Sequence, residues 1–90
     1  MGDVFRAIAD PTRRIILDEL HARDGLTLFE ICSRLIMDHG STLTRQAVSQ
    51  HLAVLEDAGL VTTKRAGRTK VHTLNTEPLR SIVERWPLDH

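Results

Sequence analysis

The sequence predicts a mainly α-helical fold with one small β-hairpin, in the order α-α-α-α-β-β-α. Three observations carry that expectation. Apolar residues recur at three- and four-residue intervals in several segments, the spacing that puts side chains on one face of a helix. A helix-opening residue, Asp3, Asp10, Thr27, Thr44 or Thr76, stands before each of those segments. Between the last two, residues 60–66 and 69–74 are Thr- and Val-rich runs separated near Gly67, as in two paired strands.

The elements follow in order. Asp3 caps a short first helix with Val4, Phe5 and Ile8 on one side. Asp10-Pro11 opens the second, because a carboxylate can accept from a free first-turn N–H and proline has no N–H to leave unpaired there. That helix carries Ile16, Leu17 and Leu20 and ends near Gly25. Thr27 and Glu30 have the spacing of a capping box. Leu28, Ile31, Cys32, Leu35 and Ile36 then make the apolar stripe of a third helix, which breaks over residues 38–41 with Gly40 as its stop. Thr44 caps the fourth, Val48, Leu52 and Leu55 are its inner face, and Gly59 closes it. Ala66-Gly67 is a weak two-residue turn for the hairpin that follows. Thr76 opens a last helix with Leu79, Ile82, Val83 and Trp86 on one face, and Pro87 ends it.

The fourth helix is the most informative segment. With its apolar stripe turned inward, Arg45, Gln46, Ser49 and Gln50 are left on the outer face near its N-terminus. Amides, a hydroxyl and a guanidinium placed there suit a helix that enters a DNA major groove N-terminus first and reads base edges. The chain is formally neutral, but its charge is uneven. Residues 39–76 carry Arg45, Lys64, Arg65, Arg68 and Lys70 against Glu56 and Asp57, and no acid lies between Ala58 and Thr76. A local positive field therefore surrounds the candidate reading helix. Aromatics are limited to Phe5, Phe29 and Trp86, too few for a platform that stacks single-stranded bases.

Two helices joined by a turn, with a hairpin beyond the second, describe a winged helix-turn-helix. The residues also resemble the arsenic-repressor (ArsR/SmtB) group of bacterial transcriptional regulators over nearly the whole chain. Asp10-Pro11-Thr12-Arg13-Arg14-Ile15-Ile16-Leu17 is similar to the family's opening of helix two. Ala47-Val48-Ser49-Gln50-His51-Leu52, with Leu55 and Ala58-Gly59-Leu60-Val61, is similar to its recognition helix and the entry to its wing, and Arg65-Ala66-Gly67-Arg68 to the wing tip. The resemblance implies that Thr44, Arg45, Gln46, Ser49 and Gln50 face the major groove. Arg45 would then suit a guanine edge and either glutamine an adenine edge. It implies that Lys64, Arg65, Arg68 and Lys70 meet the DNA backbone or send one arginine into the minor groove. The segment Ile36-Met37-Asp38-His39-Gly40-Ser41-Thr42 is longer than the usual family turn, so either helix three is extended or a loop protrudes beside the DNA-facing surface. Ser41 and Thr42 would offer phosphate contacts there.

Competing chemistries are weaker. Many family members sense metals through paired cysteines on helix three, but Cys32 is the lone cysteine and falls in the apolar stripe, where a small thiol is an ordinary core residue. The family's other metal site needs histidines and carboxylates on the last helix, which here offers Glu77 and Glu84 with Asp89 and His90 beyond it. No metal or other cofactor is expected. His51 borders the buried face of the fourth helix and reads as structural ahead of any phosphate contact. No nucleophile–base set or glycine-rich phosphate loop suggests an enzyme.

The two ends carry apolar faces, Val4, Phe5 and Ile8 at one and Leu79, Ile82, Val83 and Trp86 at the other, that a domain of 90 residues can hardly bury alone. The resemblance makes them a homodimer interface, with Trp86 as its anchor. One cysteine, no membrane-length apolar run and no signal-like N-terminus indicate a cytoplasmic protein built as a single module over residues 1–90. The expectation is thus a homodimeric repressor binding an inverted repeat in double-stranded DNA. The alternatives are a metal- or thiol-responsive sensor using an exposed Cys32, and a protein-interaction module on the same fold.

Overall fold

The computed structural model describes residues 2–89. Its elements are α1 (Val4–Ala9), α2 (Pro11–Ala22), β1 (Leu26–Thr27), α3 (Leu28–His39), α4 (Arg45–Asp57), β2 (Val61–Ala66), β3 (Thr69–Leu74), a 3₁₀ turn (Glu77–Leu79) and α5 (Arg80–Arg85). The winged helix-turn-helix order is present, with β1 added before α3.

Four of the five expected opening residues cap their helices, and Thr76 makes no side-chain cap bond. Asp3 accepts from the Phe5 N–H, Asp10 from the Arg13 N–H and Thr44 from the Ala47 N–H. At α3 the box is reciprocal: Thr27 Oγ1 accepts from the Glu30 N–H at 3.2 Å, and Glu30 Oε1 accepts from the Thr27 N–H at 2.9 Å. Those bonds, the Thr27 N–H foremost, hold the Glu30 carboxyl below the ordinary glutamate range.

Helix three is extended to His39, and Gly40 closes it in the left-handed conformation at φ 61°. Gly40 and Ser41 N–H groups return to the Ile36 and Leu35 carbonyls, so the turn of helix is sealed before the chain crosses to α4. The Ser41 hydroxyl accepts from the Leu43 N–H, which orders that crossing. Ile36, expected in the apolar stripe, is instead exposed, because only Ile31 and Leu35 on this helix turn fully inward. Glu19 of α2 binds Arg34 of α3 at 2.9 Å and lies 3.8 Å from His39, tying the two helices along their length.

The sheet is antiparallel in the order β1-β3-β2. The hairpin register pairs Ala66 with Thr69, so its two-residue loop is Gly67-Arg68 and not Ala66-Gly67. Gly67 at φ 65°, followed by a residue with negative φ, fits the turn whose twist matches paired strands and which needs glycine first. The core joins Ile16 and Leu20 of α2, Ile31 and Leu35 of α3, Val48, Leu52 and Leu55 of α4, and Leu60 and Val61 at the entry to the wing. His72 is buried within the sheet, where its Nδ1–H donates to the Leu26 carbonyl at 3.1 Å and fastens β3 to β1.

The C-terminal element differs from the single helix expected from Thr76. A 3₁₀ turn precedes α5, and Trp86 lies just outside the helix with φ −131° and ψ 84°. Pro78 sits in the 3₁₀ turn, and Thr76, the expected opening residue, makes no side-chain cap bond there.

Leu55 is fully buried at the centre of this core while its neighbour Val54 is 36% exposed. Leu55→Ala is expected to cost about 2–5 kcal/mol in urea unfolding, and Val54→Ala less than about 1 kcal/mol.

Candidate nucleic-acid interface

Burial of Val48, Leu52 and Leu55 decides which way α4 faces. Thr44, Arg45, Gln46, Ser49 and Gln50 are all exposed on its other side, as expected. Thr44 is held by its cap bond, its hydroxyl accepting from the Ala47 N–H at 3.0 Å.

The wing brings a second set of cations to this surface. Arg45 and Ser49 line one open cleft with Arg68, Thr69 and Lys70 of the hairpin, floored by Leu52 and the buried His72. Gln46 and Gln50, exposed on α4, and Lys64 and Arg65, exposed on β2, do not line this cleft. Arg65 stands directly opposite Lys70 in the hairpin, and Lys64 opposite Val71. Two cations in facing register weaken a strand pair, and no acid lies in this segment to relieve them. A polyanion would.

Among the described residues, none of Arg45, Lys64, Arg65, Arg68 and Lys70 makes an ion pair; the pairs lie at Glu19, Asp10 and Glu77. Several other arginines are structural. Arg13 and Arg14 donate to carbonyls of residues 6–9, Arg34 to Glu19 and Arg80 to Glu77. Arg45, Lys64, Arg65, Arg68 and Lys70 thus form a group of cations without carboxylate partners on α4 and the wing, while Arg6, Arg23 and Arg85 stand unpaired with acids elsewhere among the described residues.

The cleft also includes residues that helix periodicity could not point to. Phe29 is 68% exposed at its rim, and Thr27 borders it from the start of α3. An aromatic standing outside the Leu28–Ile31–Leu35 stripe is the one available signal for Phe29. His51 has the structural part expected of it: half-buried, its Nδ1 accepts from Arg13 Nη1 at 3.2 Å. Cys32 is half-buried and packs against the core. Among the described residues no group of three or more His, Cys, Asp and Glu is arranged to hold a metal ion.

The expected terminal face divides in two. Val4, Ile8 and Leu79 pack inward against the core. Ile82 is half-buried, and Phe5, Val83 and Trp86 are exposed. Phe5 and Trp86 meet edge to face with centroids 6.1 Å apart, and the Arg85 guanidinium lies 4.7 Å above the Trp86 ring.

The helix-turn-helix domain family matches residues 8–64, from the end of α1 into the wing. The chain is 52% identical over 83 residues to YuzN, an uncharacterised HTH-type transcriptional regulator of Bacillus subtilis, covering 92% of this chain and 90% of that one. An ArsR-like transcriptional regulator from Rhodococcus superposes with a TM-score of 0.78 at 28% identity, over 91% of this chain and 69% of the other. The chain belongs to the ArsR-type helix-turn-helix regulators. This ArsR-type protein is accordingly a DNA-binding transcriptional regulator, and its likeness to SdpR, a transcriptional repressor of Bacillus subtilis, is 34% identity over 99% of this chain and 90% of SdpR. No helix of its described residues is long and apolar enough to cross a membrane.

Arg68 is exposed at the hairpin turn and makes no bond whose loss would disturb the fold. Arg68→Ala is expected to weaken binding to every duplex and to lower the slope of log affinity against log salt by about 1, measured by fluorescence anisotropy.

Proposed function

We propose that this regulator is a homodimeric repressor that occludes a promoter by occupying an inverted repeat. The observation that carries the reading is the convergence of five cations without ion-pair partners on α4 and the wing of a formally neutral chain. Thr44, Arg45, Gln46, Ser49 and Gln50 enter the major groove, with Arg45 suited to a guanine edge and the glutamines to adenine edges. Lys64, Arg65, Arg68 and Lys70 bind phosphates and set the register. The repressor role follows the likeness to SdpR.

A second copy is the partner for the terminal surface. Phe5, Val83 and Trp86 leave apolar area in water, and Val4, Ile8, Leu79 and Ile82 support it from beneath. Two-fold pairing there duplicates α4 and asks for two half-sites related by inversion, one helical turn apart or a multiple of it. Its chemistry is binding without catalysis and without a cofactor. The whole of residues 1–90 serves as one module in the cytoplasm, where DNA is met and the single thiol stays reduced.

Selection from a random duplex pool is expected to recover an inverted repeat. Gln50→Ala should then lose affinity for the recovered site more than for a scrambled duplex, by about 1–3 kcal/mol of discrimination. Recovery of no preferred sequence overturns the reading. Trp86→Ala is expected to sediment as a monomer at low micromolar concentration where the parent is a dimer, and a dimeric variant removes Trp86 as the anchor.

A further inference from the structure

One guanidinium bridges α1, α2 and α4. Arg13, on α2, donates to the Ala7 carbonyl at 2.8 Å and the Arg6 carbonyl at 3.1 Å, both on α1. Its third contact is His51 Nδ1 on α4, at 3.2 Å. Arginine has only donors, so Nδ1 is the acceptor in this contact, which places the ring proton on Nε2. Asp10 faces the same nitrogen, with Oδ2 4.0 Å away.

The Asp10 carboxyl lies below the usual carboxylate range. Partial burial works to raise it, but the Arg13 N–H, the Arg13 charge, the His51 charge once that ring is protonated, and the Thr12 N–H together outweigh that. Asp10 therefore stays charged throughout the range in which histidine titrates. The other elements packed on α4 are α1, α3 and β2, the last carrying the exposed Lys64 and Arg65. α1 supplies the two carbonyls and the exposed Arg6, α3 supplies the buried Ile31 and Leu35, and His51's neighbours one turn away on α4 are Ala47, Val48, Val54 and Leu55.

We propose that the Arg13–His51 contact is a proton-operated clamp that positions the reading helix against α1 and α2. Protonation puts a hydrogen on Nδ1, abolishes the bond from Arg13 and sets two cations face to face, while Asp10 becomes the favoured partner of the imidazolium. Arg13 keeps its two α1 carbonyls, so the link that is lost is the one to α4. His51 directly follows Gln50, and a looser α4 degrades the register of base contacts while the wing still holds phosphates. Sequence preference, not overall affinity, falls with acidification. The clamp rests on the proposed reading of bases by Arg45, Gln46, Ser49 and Gln50.

The test is the affinity ratio between the tightest duplex recovered from a random pool and its scrambled counterpart, followed from about pH 8 to about pH 5.5. An added cation attracts any duplex, and that contribution cancels in the ratio. The parent chain is expected to lose about tenfold in the ratio over this range. His51→Gln, whose amide oxygen accepts from Arg13 at every pH, should stay within about twofold of the parent near pH 8 and remain flat. A parent without pH dependence, or an equal fall in His51→Gln, overturns the clamp. The ring nitrogen shifts of His51 by NMR in the free protein give a second readout that needs neither variant nor DNA. Bare Nδ1 at pH 8, with the Arg13 bond lost on acidification, supports the clamp, and an Nδ1–H tautomer at pH 8 overturns it. If no duplex is preferred at pH 8, the base-reading assignment fails by itself, and the ring shifts still decide the clamp.

Discussion

Burial of three side chains on one face of α4, Val48, Leu52 and Leu55, is the constraint on which the remaining structure depends. A helix of thirteen residues in which those positions face the core has no choice about its outer side. Arg45, Gln46, Ser49 and Gln50 are exposed because the apolar stripe is satisfied, not because anything holds them outward. The same stripe meets Ile16 and Leu20 from α2, Ile31 and Leu35 from α3, and Leu60 and Val61 at the root of the wing. Orientation of the reading surface and formation of the core are therefore one event.

Electrostatics adds what packing cannot. A neutral chain need not be neutral anywhere in particular, and this one distributes its carboxylates where they brace helices. Glu19 holds Arg34, Glu30 closes the α3 cap, and Glu77 holds Arg80. The wing has no such compensation and tolerates Arg65 facing Lys70. Local stability is given up there for a field that reaches a polyanion, a common arrangement where binding and not folding sets the residue choice.

The first four helices were legible because each has a chemical start signal that acts locally. Asp10, Thr27 and Thr44 bond to N–H groups within three residues, so no knowledge of the remote chain is needed to read them. The strand β1 was not legible. Leu26 and Thr27 span too little chain for any alternation, and they are strand only because β3 lies alongside. The hairpin loop shifted by one residue because register is a property of two strands, and Gly67 serves equally as second residue of one candidate loop or first of another. Ile36 fits the helix-three period yet is exposed, since the stripe outruns the core available to cover it. At the interface, the reading-helix face followed from periodicity, but the gathering of Arg45 and Ser49 with Arg68 and Lys70 is a tertiary fact. So is the fork of Arg13, whose partners lie up to 38 residues away.

The placement of His72 has a mechanical meaning. β3 is the middle strand, fixed to β1 at Leu26 and Thr27 and reinforced there by the imidazole bond to the Leu26 carbonyl, while its other end runs out to a two-residue loop with only β2 beside it. The wing is thus a cantilever, clamped at the root and free at the tip. Its root moves with α3, whose first residue follows directly on Thr27, so a tilt of that helix is magnified along the ribbon by the time it reaches Arg68. Under the proposed wing contacts, grip on the DNA backbone and the angle of α3 are mechanically a single degree of freedom.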